Sequence, residues 1–109
     1  MAFYESTFIA NQELTTKQVE DLAQSFVDFL KHAGGKLIKQ EYWGVRNFAY
    51  TIKKQKKGHY IMLCIEASAE ALELYSKKVM AREEVLKLVS FKVASFAENS
   101  SSLAKIDED

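Results

Sequence analysis

Residues 36–67 read KLIKQEYWGVRNFAYTI, then KKQKKG, then HYIMLCIEA, and this stretch decides the fold. Its first part, Lys36 to Ile52, is dense in residues that suit a pleated surface: Leu37, Ile38, Tyr42, Trp43, Val45, Phe48, Tyr50 and Ile52. Gly44 interrupts it and predicts a bulge or a close backbone approach. Lys53-Lys54-Gln55-Lys56-Lys57-Gly58 reads as a polar turn, and His59 to Ala67 as a second strand. The two strands should therefore form a hairpin.

On the N-terminal side, Val19, Leu22, Ala23, Phe26, Val27, Leu30 and Ala33 recur at helical spacing. Thr15 with Gln18 three residues on resembles a capping box. Gly34-Gly35 supplies a stop, because glycine takes the left-handed cap without a Cβ clash. The pattern predicts a helix over 16–33. Before it, Phe3 to Ala10 is a short aromatic-rich strand ending at Asn11-Gln12.

Beyond the hairpin, Ser68 caps a helix over Ala69 to Met80, with Ala71, Leu72, Tyr75 and Val79 as its apolar stripe. Val85 to Phe96 alternates as a last strand. Residues 1–96 thus read as one domain, followed by a serine-rich acidic tail over 97–109 that should be disordered.

The order β-α-β-β-α-β predicts an α+β, ferredoxin-like fold: a four-stranded antiparallel sheet with two helices on one face. Right-handed crossovers put the first and third strands in the centre and make the 36–52 strand an edge. Lys36, Lys39 and Arg46 are the kind of charge that protects an edge.

The chain has 109 residues, 48% of them apolar, enough for one self-sufficient core. No run of 18 apolar residues suggests a membrane span. Met1 to Ala10 lacks the basic start and apolar stretch of an export signal. Cys64, without a second cysteine, forms no internal disulfide and suits a reducing cytoplasm.

Net charge is zero, yet it is segregated. Lys36 to Tyr60 holds seven basic residues against Glu41, while residues 1–35 hold two basic and five acidic ones. Lys53, Lys54, Lys56 and Lys57 at the turn, with Arg46 before it, are the type of group that binds phosphates and releases counterions. They are candidates for RNA contact, as is His59, expected to be exposed or lying on RNA. A solvated turn that merely keeps an edge soluble is the plainer reading.

Trp43 and Tyr50 are candidates for a protein partner; with Tyr42 and Phe48 they could also stack on bases or fill a core. Arg46 could pair with Glu41 or with an acid of a neighbouring strand instead of phosphate.

The run Glu41 to Lys53 resembles the block G-x-R-x-L-A-Y-x-I of bacterial ribosomal protein six of the small subunit, through Gly44, Arg46, Ala49, Tyr50 and Ile52. Tyr4-Glu5, Gly34-Gly35-Lys36, Lys57-Gly58-His59-Tyr60, Val85-Leu86-Lys87 and Phe91-Lys92-Val93 are similar to that family too, so the resemblance spans residues 3–93 in order. Phe48 stands where the family has leucine. Ala81-Arg82-Glu83-Glu84 stands where it has an arginine-rich turn. The resemblance implies a ferredoxin-like domain on small-subunit ribosomal RNA, paired there with small-subunit ribosomal protein eighteen.

An RNA-recognition motif shares the element order. It needs stacking rings on its third strand, where this chain has Ile61 and Cys64. Catalysis has little footing. His32 and His59 are far apart, Cys64 sits mid-strand as a small core residue, and no carboxylate pair, phosphate-cradling loop or metal-ligand spacing is present. The reading is therefore a non-enzymatic, ribosome-associated protein without cofactor, metal or small-molecule substrate. The competing reading is a dimeric ferredoxin-like small-molecule binder or enzyme, which would need a polar pocket and a convergent acid–base pair. A ligand-sensing regulatory domain is a third possibility.

Overall fold

The structure, a computed structural model, describes residues 1–94. Its elements are β1 (Ala2–Asn11), α1 (Thr16–His32), β2 (Lys36–Ile52), β3 (Gln55–Ala67), α2 (Ala69–Met80) and β4 (Val85–Val93). They form one sheet in the order β2-β3-β1-β4, antiparallel at every pairing. This is the expected architecture, with β3 and β1 central and β2 an edge. The expected end of the last strand at Phe96, and the tail 97–109, lie outside the described residues.

Side chains alternate across the sheet. On one face Phe8 and Ala10 of β1 and Ile61, Leu63, Ile65 and Ala67 of β3 meet Val19, Phe26 and Leu30 of α1 and Ala71, Tyr75 and Val79 of α2. Phe8 and Phe26 meet edge to face, ring centres 5.2 Å apart. Tyr75 carries its hydroxyl into this core. There it shares a 3.0 Å hydrogen bond with Ser6, to which Ser90 donates. Burial pushes the Tyr75 phenol up to about 12, with the Ser6 bond opposing the shift.

The opposite face carries a smaller cluster of Ile9, Tyr60 and Leu86, with Trp43, Phe48, Ile52 and Val89 packed against it. By alternation Glu5, Thr7, Met62 and Cys64 share this face, and all four are buried.

The caps follow the sequence. Thr15 and Gln18 complete a capping box, the Thr15 hydroxyl accepting from the Gln18 N–H and the Gln18 side chain accepting from the Thr15 N–H. After α1, Gly34 takes φ +94°, its N–H bonds to the Lys31 carbonyl, and the Gly35 N–H bonds to the Leu30 carbonyl. That pair of bonds satisfies carbonyls that a helix end would leave open.

β2 carries most of the irregularities. Gly44, at φ +84°, marks a register shift after Tyr42, as its position in the sequence suggested. A larger shift follows. Asn47 pairs with Lys57 and Ile52 with Gln55, so four residues of β2 face one of β3. The extra residues form a bulge at 48–51. The turn is also shorter than expected. Lys53 and Lys54 alone connect the strands, both with positive φ, +49° and +68°, the geometry of a two-residue turn that matches strand twist. Gln55, Lys56 and Lys57 belong to β3 rather than to a loop.

Candidate nucleic-acid interface

β1 pairs with β3 only as far as Asn11 opposite Gly58. Past that point β3 has a single strand neighbour, β2. The hairpin end 47–57 therefore extends beyond the ladder of β1. Gly58 marks the boundary for a steric reason: a Cβ there would lie 2.6 Å from the Ala10 carbonyl and 2.9 Å from Ile9 Cγ2.

The four lysines of this end are not equivalent. Lys54, Lys56 and Lys57 are exposed, and among the described residues no ion pair engages them. Elsewhere lysines do meet acids: Lys17 with Asp21, Lys39 with Glu41, and Lys77 with Glu73. Lys53 is exposed as well, but its Nζ donates to the Val85 carbonyl at 3.3 Å. A second tie joins the hairpin to the loop after β1, where the Gln12 amide donates to the Gln55 carbonyl oxygen at 3.0 Å.

The bulge at Gly44 brings Trp43 and Arg46 to the helix-free face, where the guanidinium lies 4.7 Å from the indole centre. Arg46 thus sits over Trp43 rather than pairing with Glu41. Glu41 receives the Lys39 ammonium at 2.6 Å and the Trp43 indole N–H at 2.8 Å. These two bonds, Lys39 first, hold the Glu41 carboxyl below the usual range. Burial raises the Tyr60 phenol on the same face, and the nearby Arg46 charge opposes it.

His59 corrects the sequence reading. It was expected to be exposed, and it is 4% exposed. Both ring nitrogens are engaged: Nε2 lies 2.8 Å from the Leu14 carbonyl and Nδ1 lies 2.8 Å from the Tyr42 hydroxyl. Leu14 offers only an acceptor, so Nε2 donates to it, while Nδ1 shares its hydrogen bond with the Tyr42 hydroxyl. His59 pins the hairpin's root to the loop before α1. The missed signal was its alternation with Ile61, Leu63 and Ile65, which puts it on the helix-covered face.

Trp43 is half-buried against the second cluster. Tyr50 lies in the bulge and is 76% exposed. In the turn before β4, Arg82 donates to Glu84 through Nε at 3.2 Å and Nη2 at 2.9 Å. Its charge is thereby spent inside the turn, which with Glu83 makes this end of the molecule a poor phosphate site. Among the described residues no group of His, Cys, Asp and Glu could hold a metal, and no helix is long and apolar enough to cross a membrane.

Comparison with known proteins bears on what these features serve. The family model for ribosomal protein S6 matches residues 3–92. The small ribosomal subunit protein bS6 of Anaplasma phagocytophilum is 39% identical over 109 residues, covering both chains completely. The bS6 protein of Ehrlichia canis is 42% identical over 92 residues, 84% of each chain. That of Paramagnetospirillum magneticum is 38% identical over 103 residues, 94% of this chain and 72% of its own. These relatives are structural proteins of the ribosome and not enzymes. Among solved structures, 30S ribosomal protein S6 from Thermotoga maritima superposes with a TM-score of 0.80 at 23% identity, over 94% of this chain and 97% of the other, a match of fold.

Proposed function

Because this chain belongs to the ribosomal protein S6 family of the small ribosomal subunit, we propose that it works in the cytoplasm by holding ribosomal RNA with its basic hairpin beside small-subunit ribosomal protein eighteen. The observation that carries this reading is the unbalanced charge of the hairpin end. Lys54, Lys56 and Lys57 stand exposed on a ribbon that leaves the body of the sheet, and residues 47–57 hold no acid to offset them. Such lysines hold phosphates without reading sequence. Arg46, stacked on Trp43 at the root of the same ribbon, extends the positive strip. Lys53 and His59 act indirectly, by fastening the hairpin to Val85 and Leu14.

The helix-free sheet face suits the protein partner. Trp43, Phe48 and Val89 are half-buried there around Ile9 and Tyr60, leaving apolar surface for a neighbour to cover. The edge of β2 adds unpaired backbone groups that a partner segment could bond.

The test is affinity for a small-subunit ribosomal RNA fragment across a salt series, with and without the partner protein. Replacing Lys54, Lys56 and Lys57 together by alanine should weaken binding and flatten the salt dependence by up to about two to three units of slope, since each phosphate contact contributes roughly 0.7–0.9. An unchanged slope would remove the hairpin from the interface.

A further inference from the structure

Tyr50 is the residue of the hairpin that this charge argument leaves without a role. We infer that its ring is a stacking platform for an unpaired RNA base, with the hairpin lysines holding the flanking phosphates. The inference rests on the RNA-binding reading of the hairpin and assigns what that reading lacks, a contact to a base.

Three observations carry it. First, the backbone delivers the ring outward. Between the pairs Asn47–Lys57 and Ile52–Gln55, β2 has residues 48–51 where β3 has Lys56 alone, and a bulge re-aims side chains that a regular ladder would turn toward the sheet. Phe48, at the start of the bulge, does turn inward, its ring 6.2 Å from that of Tyr60. Tyr50 is left 76% exposed.

Second, the residues flanking the ring are small. Its neighbours Ala49 and Thr51 are small and exposed, and Phe48 turns inward toward Tyr60. An aromatic anchor for a protein is set among other large buried side chains that exclude water around it; Ala49 and Thr51 give Tyr50 little of that shelter. Third, the ring borders a shallow open recess shared with Asn47, Phe48, Thr51 and Lys56. That recess offers a flat apolar wall, amide and hydroxyl groups, and an ammonium at one rim. A base on the ring with its phosphate toward Lys56 uses all three. Stacking of this kind tolerates any base, because every base has a π face, and RNA presents such bases in its loops and bulges.

The experiment uses the full chain and two RNA probes, a hairpin with an internal loop of unpaired adenosines and the same hairpin closed to a continuous duplex. Tyr50→Ala should bind the looped RNA about five- to 150-fold more weakly, with the salt slope of the wild type. It should bind the duplex as the wild type does, with the same thermal unfolding midpoint. Tyr50→Phe should behave as the wild type on both, since the ring and not the hydroxyl does the stacking. Equal affinity of Tyr50→Ala and wild type for the looped RNA overturns the inference. So does a loss confined to binding of ribosomal protein eighteen, which would make the ring a protein anchor. The lysine triple variant separates the two readings. A flattened salt slope with an inert Tyr50 discards the stacking alone, whereas an unchanged slope discards the RNA-binding hairpin itself.

Discussion

The two ends of β3 have opposite fates within one continuous strand. From Gly58 to Ala67 every residue but Glu66 is buried; from Gln55 to Lys57 every residue is partly or fully exposed. The difference lies in neighbours. The buried end has β1 on one side, β2 on the other and both helices across one face, while the exposed end has β2 alone. A strand with partners on both sides supplies stability. A strand that has outrun its sheet has little to stabilise and is free to carry charge.

If that division is right, substitutions at the two ends should separate cleanly. The largest effect is expected in the buried end. Leu63→Ala, at a site with no exposure, should destabilise by about 2–5 kcal/mol through lost transfer energy and the cavity left behind. Lys56→Ala, seven residues earlier in the same strand, should stay within about 0.5 kcal/mol. Urea unfolding of both variants measures the contrast, and comparable losses would erase it.

A smaller effect should appear in alkali. Tyr75 holds its proton up to about pH 12 in the folded state, against an ordinary value of 10.0. The unfolded chain therefore releases this proton first as pH rises. The stability Tyr75 contributes is complete below pH 10 and drains away toward pH 12, on the order of 2–3 kcal/mol in all at 1.36 kcal/mol per pKa unit. Tyr75→Phe should flatten that decline relative to the wild type, as followed by circular dichroism melts between neutral pH and pH 12. A parallel decline in both proteins would place the alkaline sensitivity elsewhere.

The smallest effect, and the one of opposite sign, belongs to the exposed end. Lys54 holds φ +68°, a conformation that costs an ordinary residue roughly 1–2 kcal/mol and glycine almost nothing. Lys54→Gly should therefore raise stability by up to about 1 kcal/mol while weakening RNA binding. A variant that loses stability would show that the lysine side chain supports the turn. A gain in stability with a loss of binding fits a hairpin tip whose strained backbone is retained for its charge.

Much of this division was legible before the structure. The caps at Thr15 and Gly34, the stripe from Val19 to Leu30, the bulge at Gly44 and the central placement of β1 and β3 all follow from local patterns that tertiary contacts reinforce. The hairpin's basic character was legible as well. Its geometry was not. The lysines over 53–57 carry turn-like composition, yet Gln55, Lys56 and Lys57 extend because β2 offers them partners. The bulge at 48–51 has no glycine to announce it. His59 resembled a surface group from its place beside lysines, and its alternation with Ile61 and Leu63 was the overlooked sign that it faces inward.

What the sequence determined by itself is the set of periodic elements, their order, and the clustering of positive charge in one hairpin, because helix and strand periodicity and net local charge are properties of nearest neighbours along the chain. What only the tertiary structure decided is which of those charges are available. Lys53 is tied to the Val85 carbonyl and His59 to Leu14 and Tyr42, while Arg46 keeps its charge over the face of Trp43. Lys54, Lys56 and Lys57 reach solvent with no side-chain hydrogen bond or ion pair among the described residues. Each of those choices depends on groups brought together by register and bulges, up to 45 residues apart in the chain for His59 and Leu14, and no local pattern encodes such meetings.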